Sequence, residues 1–189
     1  MASLEDVQVV LDETREAMEK AIRSLRAELQ KIRTGRASTA ILDGIQADYY
    51  GTPTPLNQLA NLTTPDPRLI VISPYDKSAL PAIEKAIQAS DLGLTPQSDG
   101  KVVRIPIPPL TEERRRELVR HVHKVAEEHK VGVREARREG LAMLKDLEAD
   151  GLPVDDRRRA DRQVQELTDE YVNRIDEMVA VKEKEILEV

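Results

Sequence analysis

The chain has 189 residues, 40% of them apolar and 34% charged, with four Tyr, no Phe, Trp or Cys, and a formal net charge of -6. That length can bury a real core, and an aliphatic, charge-rich composition favours long amphipathic helices over an aromatic-rich sandwich. The lack of cysteine excludes disulfides, zinc-thiolate sites and a thiol nucleophile.

The opening "MASLEDVQVVLDE" is acidic and has neither the basic start nor the apolar block of a secretory signal. No later stretch approaches a membrane-spanning length, so a soluble cytoplasmic protein is expected. Leu4, Val7, Leu11, Thr14, Met18, Ile22, Leu25, Leu29 and Ile32 follow three-and-four spacing, with Ser3 and Asp6 placed as a capping pair. This is a first long helix, and it breaks at "KIRTGRAS", Lys31 to Ser38.

Ten of the eleven prolines lie between Pro53 and Pro109, together with most of the strand-like runs. "IQADYYG" and "RLIVIS" read as strands, and "KVVRIPIP" as another after the Asp99-Gly100 turn; Leu80, Ile83 and Ile87 mark a short helix stopped at Gly93. Helical periodicity resumes at Thr111, with Glu112 and Glu113 at the positive end of the helix dipole. Leu118, Val122, Val125, His129, Gly132, Ala136, Gly140, Met143 and Leu147 mark the seam of this second helix, on the order of 55 to 60 Å long. "ADGLPVDD" turns the chain, and a third helix points Ala160, Val164, Leu167, Tyr171, Ile175 and Met178 inward.

Three such stripes close a bundle. The expected class is α+β: a long antiparallel three-helix bundle from residues 1–34 and 107–189, with a small β/α/β domain, 35–106, inserted at one end. Two connectors join them, one at Thr34, Gly35 and Arg36, the other at "PIPPL" with Pro106, Pro108 and Pro109; paired connectors make a hinge geometrically feasible.

The net charge hides an asymmetry. Residues 111–138 carry nine basic and six acidic side chains, residues 139–189 eight and fifteen, so an anionic partner meets the second helix first. There Lys130, Arg134 and Arg138 are four apart, flanked by Arg137, and are read as a basic stripe facing solvent. Two readings stand: an ordinary solvated face partnered by Glu127 and Glu135, or a contact with phosphates. With so few aromatics, recognition would be of folded-RNA shape and backbone rather than by base stacking, and would weaken steeply with salt. Arg33, at the end of the first helix, is available to RNA or to a neighbouring carboxylate.

Gly132, Ala136 and Gly140 put small residues on the seam, which suggests close approach of a neighbouring helix; a flexible point is the competing reading. His121, His123 and His129 do not converge with a third ligand, so no metal site is expected. The only Gly-Lys, Gly100-Lys101, is followed by Val102 and makes no P-loop, and no Gly-x-Ser-x-Gly elbow exists. No catalytic residue and no cofactor is assigned.

Five stretches, "KIRTGRAS", "YYGTPTPL", "ASDLGL", "PIPPLTEERR" and "VGVREARR", stand in an order and spacing that resembles the bacterial ribosome recycling factor family over essentially the whole chain. The resemblance implies an L-shaped two-domain molecule, likened to transfer RNA, with the small domain on a hinge. It implies a monomeric, non-enzymatic translation factor that splits post-termination ribosomes into subunits with elongation factor G and GTP. It also implies that the bundle lies on large-subunit ribosomal RNA near the inter-subunit bridges, through arginines matching Arg134, Arg137 and Arg138, and that the small domain faces elongation factor G. The other function class is a helical adaptor for a protein partner, which would show little salt sensitivity and no ribosome affinity.

Overall fold

A computed structural model describes residues 1–188. The chain divides into two compact units, residues 1–33 with 112–188, and residues 34–111.

The first unit consists of α1 (Leu4–Lys31), α4 (Glu112–Ala149) and α5 (Val154–Leu187), each packed on the other two. α1 opens with a capping box: the Ser3 N–H donates to Asp6 Oδ2 at 2.7 Å, and the Asp6 N–H donates to Ser3 Oγ at 3.4 Å. The Ser3 N–H and then the Ser3 hydroxyl, which donates to Asp6 Oδ2 at 2.9 Å, hold the Asp6 carboxyl below the usual carboxylate range. α4 and α5 are antiparallel, as pairs His123–Glu183, Lys130–Asp176 and Arg157–Glu148 require. α1 also runs against α4, with Thr14 opposite Gly140, Ala21 opposite Gly132 and Glu28 opposite His129. Val189, the last residue of the expected bundle segment, lies outside the described residues.

The buried stripes differ from the expected ones in specific places. Leu4 is 62% exposed while Val10 is buried, because the apolar face at this end turns toward Val7, Val10 and Leu11, which pack with Leu144, Leu152, Ala160 and Val164. On α4, Gly132 is exposed and Val133 is fully buried; Leu144 likewise takes the place expected for Met143, and His129 and Leu147 are half-buried. α4 touches both other helices, so its buried face is broad, and Val133 occupies the centre rather than Gly132 because it removes more apolar surface from water. On α5, Val179 is buried where Met178 was expected, and Met178 is half-buried.

The second unit holds a hairpin of β1 (Gln46–Tyr49) and β2 (Thr52–Pro55), the single-turn α2 (Leu56–Leu59), and a four-stranded antiparallel sheet. The sheet is ordered β3-β4-β6-β5, with β3 Ala60–Asp66, β4 Leu69–Pro74, β5 Gln97–Ser98 and β6 Val103–Pro106. The short helix α3 (Leu80–Gln88) places Ile83 and Ile87 in one core with Ile70, Ile72, Val103 and Ile105. β2 and β3 were not expected from sequence. Each carries proline within the strand, which suits an edge where no ladder N–H is needed on the open side, and each is an edge.

The expected return to the bundle at residue 107 is corrected to Glu112. Ile107 continues the sheet, its N–H donating to the Arg68 carbonyl at 2.8 Å, and Leu110 lies against Gly35. Gly35 has φ +80°, and a Cβ there would sit 2.8 Å from Leu110 Cγ, so both the backbone conformation and the packing call for glycine.

Candidate nucleic-acid interface

A helix interior fixes where each charge can go: about 100° of rotation per residue puts positions four and seven apart on one ridge. On α4 the ridge opposite the seam carries Arg134 and Arg138, both exposed. Neither forms a hydrogen bond or ion pair with another side chain among the described residues. Arg33, one residue beyond the helix cap, is likewise exposed and has no carboxylate partner among them.

The expectation of a four-residue solvent stripe is corrected for Lys130. Its Nζ lies 2.6 Å from Asp176 Oδ1 on α5 and 3.4 Å from Glu127 Oε1, and only 15% of its side chain is exposed. The Asp176 bond raises its pKa further above the ordinary lysine value, so it is a fixed cation held in the α4–α5 contact. Its position, seven residues before Arg137, is on the flank that faces α5 rather than on the outer ridge. Arg137 is half-buried on that flank, and its Nε donates to Gln165 Oε1 at 2.8 Å. Its guanidinium is therefore pinned at the edge of the ridge.

The ridge is longer than the sequence reading had it. Arg120, Lys124 and Lys145 are exposed, stand 18 and 14 residues before Arg138 and 7 after it, and share its face. That signal was present as spacing, but the dense "VREARR" cluster concealed it. Val131 is 56% exposed at the middle of the ridge, and the exposed Glu127 and Glu135 are acidic neighbours of the arginines.

Elsewhere charge is used inside the bundle. Tyr171, on α5, donates its hydroxyl to Glu19 Oε1 at 2.6 Å, and Arg174 Nη1 donates to the same oxygen at 2.8 Å while its guanidinium lies 4.9 Å from the Tyr171 ring centre. Burial, then the Glu19 bond, pushes the Tyr171 phenol up to about 12, and the Tyr171 and Arg174 bonds hold Glu19 below its ordinary value. Arg157 joins Glu148 on α4 and Asp161 at the far turn.

The histidines take structural partners. His129 Nδ1 donates to the Val125 carbonyl at 2.8 Å with Nε2 3.7 Å from Glu28, and His123 pairs with Glu183. Among the described residues no three His, Asp or Glu side chains converge as a metal site, and no helix is long and apolar enough to cross a membrane.

The family model described as "Ribosome recycling factor" matches residues 25–187. The chain is 53% identical over 182 residues to the ribosome-recycling factor of Syntrophus aciditrophicus, covering 96% of this chain and 98% of that one. It is 55% identical over 181 residues to that of Halalkalibacterium halodurans, covering 95% and 98%. Among solved structures, it matches a solution structure of the ribosome recycling factor with a TM-score of 0.70 and 43% identity, over 100% of both chains. A second match, with a TM-score of 0.60, 46% identity and coverage of 96% and 98%, is the T. thermophilus ribosome recycling factor placed with E. coli elongation factor G on the E. coli post-termination complex. With a matched helical bundle, a matched small sheet unit and about half of all residues shared along nearly its full length, the chain belongs to the ribosome recycling factor family.

Proposed function

We propose that this protein separates post-termination ribosomes into subunits together with elongation factor G and GTP. It acts mechanically, and the chemistry of GTP hydrolysis belongs to the elongation factor. Family membership over the full length is the observation that carries the reading.

The α4 ridge supports a role for it in holding ribosomal RNA of the large subunit. Arg134 and Arg138 are charges without an internal partner, spaced by one helical turn, and a guanidinium left in water is available to a phosphate at little desolvation cost. Arg137 contributes its terminal nitrogens from a fixed position, Arg33 extends the basic surface beyond α1, and Lys130 acts indirectly by holding α4 on α5.

Thr34, Gly35 and Arg36 on one strand, with Pro106, Pro108 and Pro109 on the other, serve as the hinge. The packing of Leu110 on Gly35 keeps the two connectors together, which supports their acting as one joint. A crosslink locking the small unit to the bundle leaves ribosome binding intact and blocks splitting.

The test is to mix the purified protein, elongation factor G and GTP with post-termination ribosomes and resolve the subunits on a gradient. Free subunits increase; no increase refutes the proposal. A protein adaptor would instead bind a protein partner with little salt dependence and leave ribosomes intact.

A further inference from the structure

Aspartate followed by glycine is a dipeptide in which a protein backbone readily rearranges, and the chain has three: Asp43-Gly44, Asp99-Gly100 and Asp150-Gly151. The glycine nitrogen gives up its proton and attacks the aspartate Cγ, a water leaves, and a five-membered succinimide closes. A second water opens the ring at either carbonyl. Opening at Cγ returns aspartate, and opening at the other leaves the main chain running through the side-chain carboxyl, as isoaspartate. One water is lost and one gained, no electrons are exchanged, and the mass is unchanged. The first step needs a glycine N–H that is not already donated, a carboxyl that is not held as an anion, and a peptide plane free to turn the nitrogen toward Cγ.

Two of the pairs do not meet these conditions. Asp99 Oδ1 accepts the Val102 and Lys101 N–H groups, each at 2.9 Å, and Oδ2 takes Arg104 Nη1 at 2.6 Å. These bonds hold the Asp99 carboxyl well below the usual carboxylate range, so the neutral acid from which water leaves is scarce. The Gly100 N–H also donates to Ser98 Oγ at 3.3 Å. At the turn between α4 and α5, the Gly151 N–H donates to the Glu148 carbonyl at 3.1 Å and the Asp150 carbonyl accepts the Ala2 N–H at 3.2 Å, so the connecting peptide is fixed on both sides.

Asp43-Gly44 meets all three. Asp43 is exposed and follows the single turn Thr39–Leu42. Its carboxylate, its carbonyl and the Gly44 N–H form no hydrogen bond or ion pair among the described residues. Gly44 has φ +83°, and beyond its chain neighbours no atom lies within 4 Å of where a Cβ would stand, so nothing obstructs the nitrogen. The flanks are anchored, with Leu42 2% exposed in the core of the small unit and the Ile45 carbonyl accepting the Leu56 N–H at 3.3 Å. An isoaspartyl link adds a backbone methylene between these anchors, and the 3.2 Å bond from the Ile45 N–H to the Leu42 carbonyl cannot span it unchanged.

We propose that Asp43 is a site of spontaneous isomerisation to isoaspartate, and that the fold shields Asp99 and Asp150 from the same chemistry. The proposal is independent of the function proposed above. The test incubates the purified full chain at physiological temperature and neutral pH, native and in guanidinium chloride. Isoaspartate at each pair is read by electron-transfer fragmentation of its peptide, with resistance to endoproteinase Asp-N as a second measure. In the native protein Asp43 is expected to convert at least about tenfold faster than either other aspartate, the ratio that one or two retained hydrogen bonds supply. In guanidinium chloride the three rates draw together. Asp43→Glu, which keeps the charge but would have to close a six-membered ring, loses the native signal. Native conversion at Asp43 no faster than at Asp99 or Asp150 would overturn the inference. So would an Asp43 lead that persists undiminished in guanidinium chloride, since local sequence rather than the fold would then set the order.

Discussion

Replacing Gly140 by alanine, ordinarily a favourable change inside a helix, is expected to destabilise this bundle. On α4 the exchange removes backbone freedom from the unfolded chain and gains about 1 kcal/mol of helix propensity. The structure opposes it with a contact: an added Cβ would sit 2.5 Å from Thr14 Oγ1 and 3.3 Å from its Cγ2. Thr14 is 2% exposed and its hydroxyl donates to the Val10 carbonyl at 2.8 Å, so swinging it aside loses a buried hydrogen bond, and a β-branched side chain has few other rotamers. Overpacking of this kind costs about 1–3 kcal/mol and the lost bond about 1 kcal/mol more, leaving a net destabilisation of about 1–3 kcal/mol. Gly132→Ala supplies the control on the same helix, since its Cβ would meet only Ala21 Cβ at 4.0 Å; it is expected to stabilise by about 0.5–1 kcal/mol. Urea unfolding followed by helical circular dichroism measures both. Adding Thr14→Ala to Gly140→Ala should recover part of the loss, a coupling that a double-mutant cycle reads directly. A Gly140→Ala protein as stable as the parent would refute the reasoning.

The two kinds of basic residue on α4 should separate cleanly. Arg134→Ala and Arg138→Ala leave unfolding unchanged and each reduce the salt slope of large-subunit binding by about 1, whereas Lys130→Ala lowers bundle stability by about 1 kcal/mol through loss of its Asp176 pair and buried stem. The α1–α5 contact sets a pH window. Because the folded state raises the Tyr171 phenol to about 12, its contribution is complete below the ordinary phenol value near 10 and is lost as pH rises through about 12. Glu19, lowered in the folded state, contributes above its ordinary value and is lost as pH falls through the depressed one. Tyrosinate absorbance should therefore show a late-ionising phenol that Tyr171→Phe removes. Gly35→Ala is expected to cost about 2 kcal/mol from its left-handed backbone and the Leu110 contact together, read as faster amide exchange at Ala37, whose N–H donates to the Pro67 carbonyl at 2.6 Å; Leu110→Ala relieves only the steric share.

Much of the small unit's outline was legible because strongly apolar runs declare themselves: "RLIVIS" is β4 and the Leu80, Ile83, Ile87 pattern is α3. β2 and β3 were not, since the prolines inside "TPTP" and "ANLTTPD" argue against a strand, and these stretches become strands because neighbouring backbone offers them edges. For the ridge, helical spacing alone identified Arg134 and Arg138. Lys130 could not be sorted from them without α5, because one residue's rotation separates an outward lysine from one that reaches Asp176.

The sequence by itself determined that three long helices form, where proline interrupts them and that α4 carries the positive charge; these follow from periodicity and composition, which are local along the chain. Tertiary structure alone decided which of two adjacent apolar residues is buried, that Gly140 is required where Gly132 is not, and that Tyr49 reaches Asp76. Those outcomes depend on what a second element places within a few ångströms, and no spacing within one helix or strand encodes that.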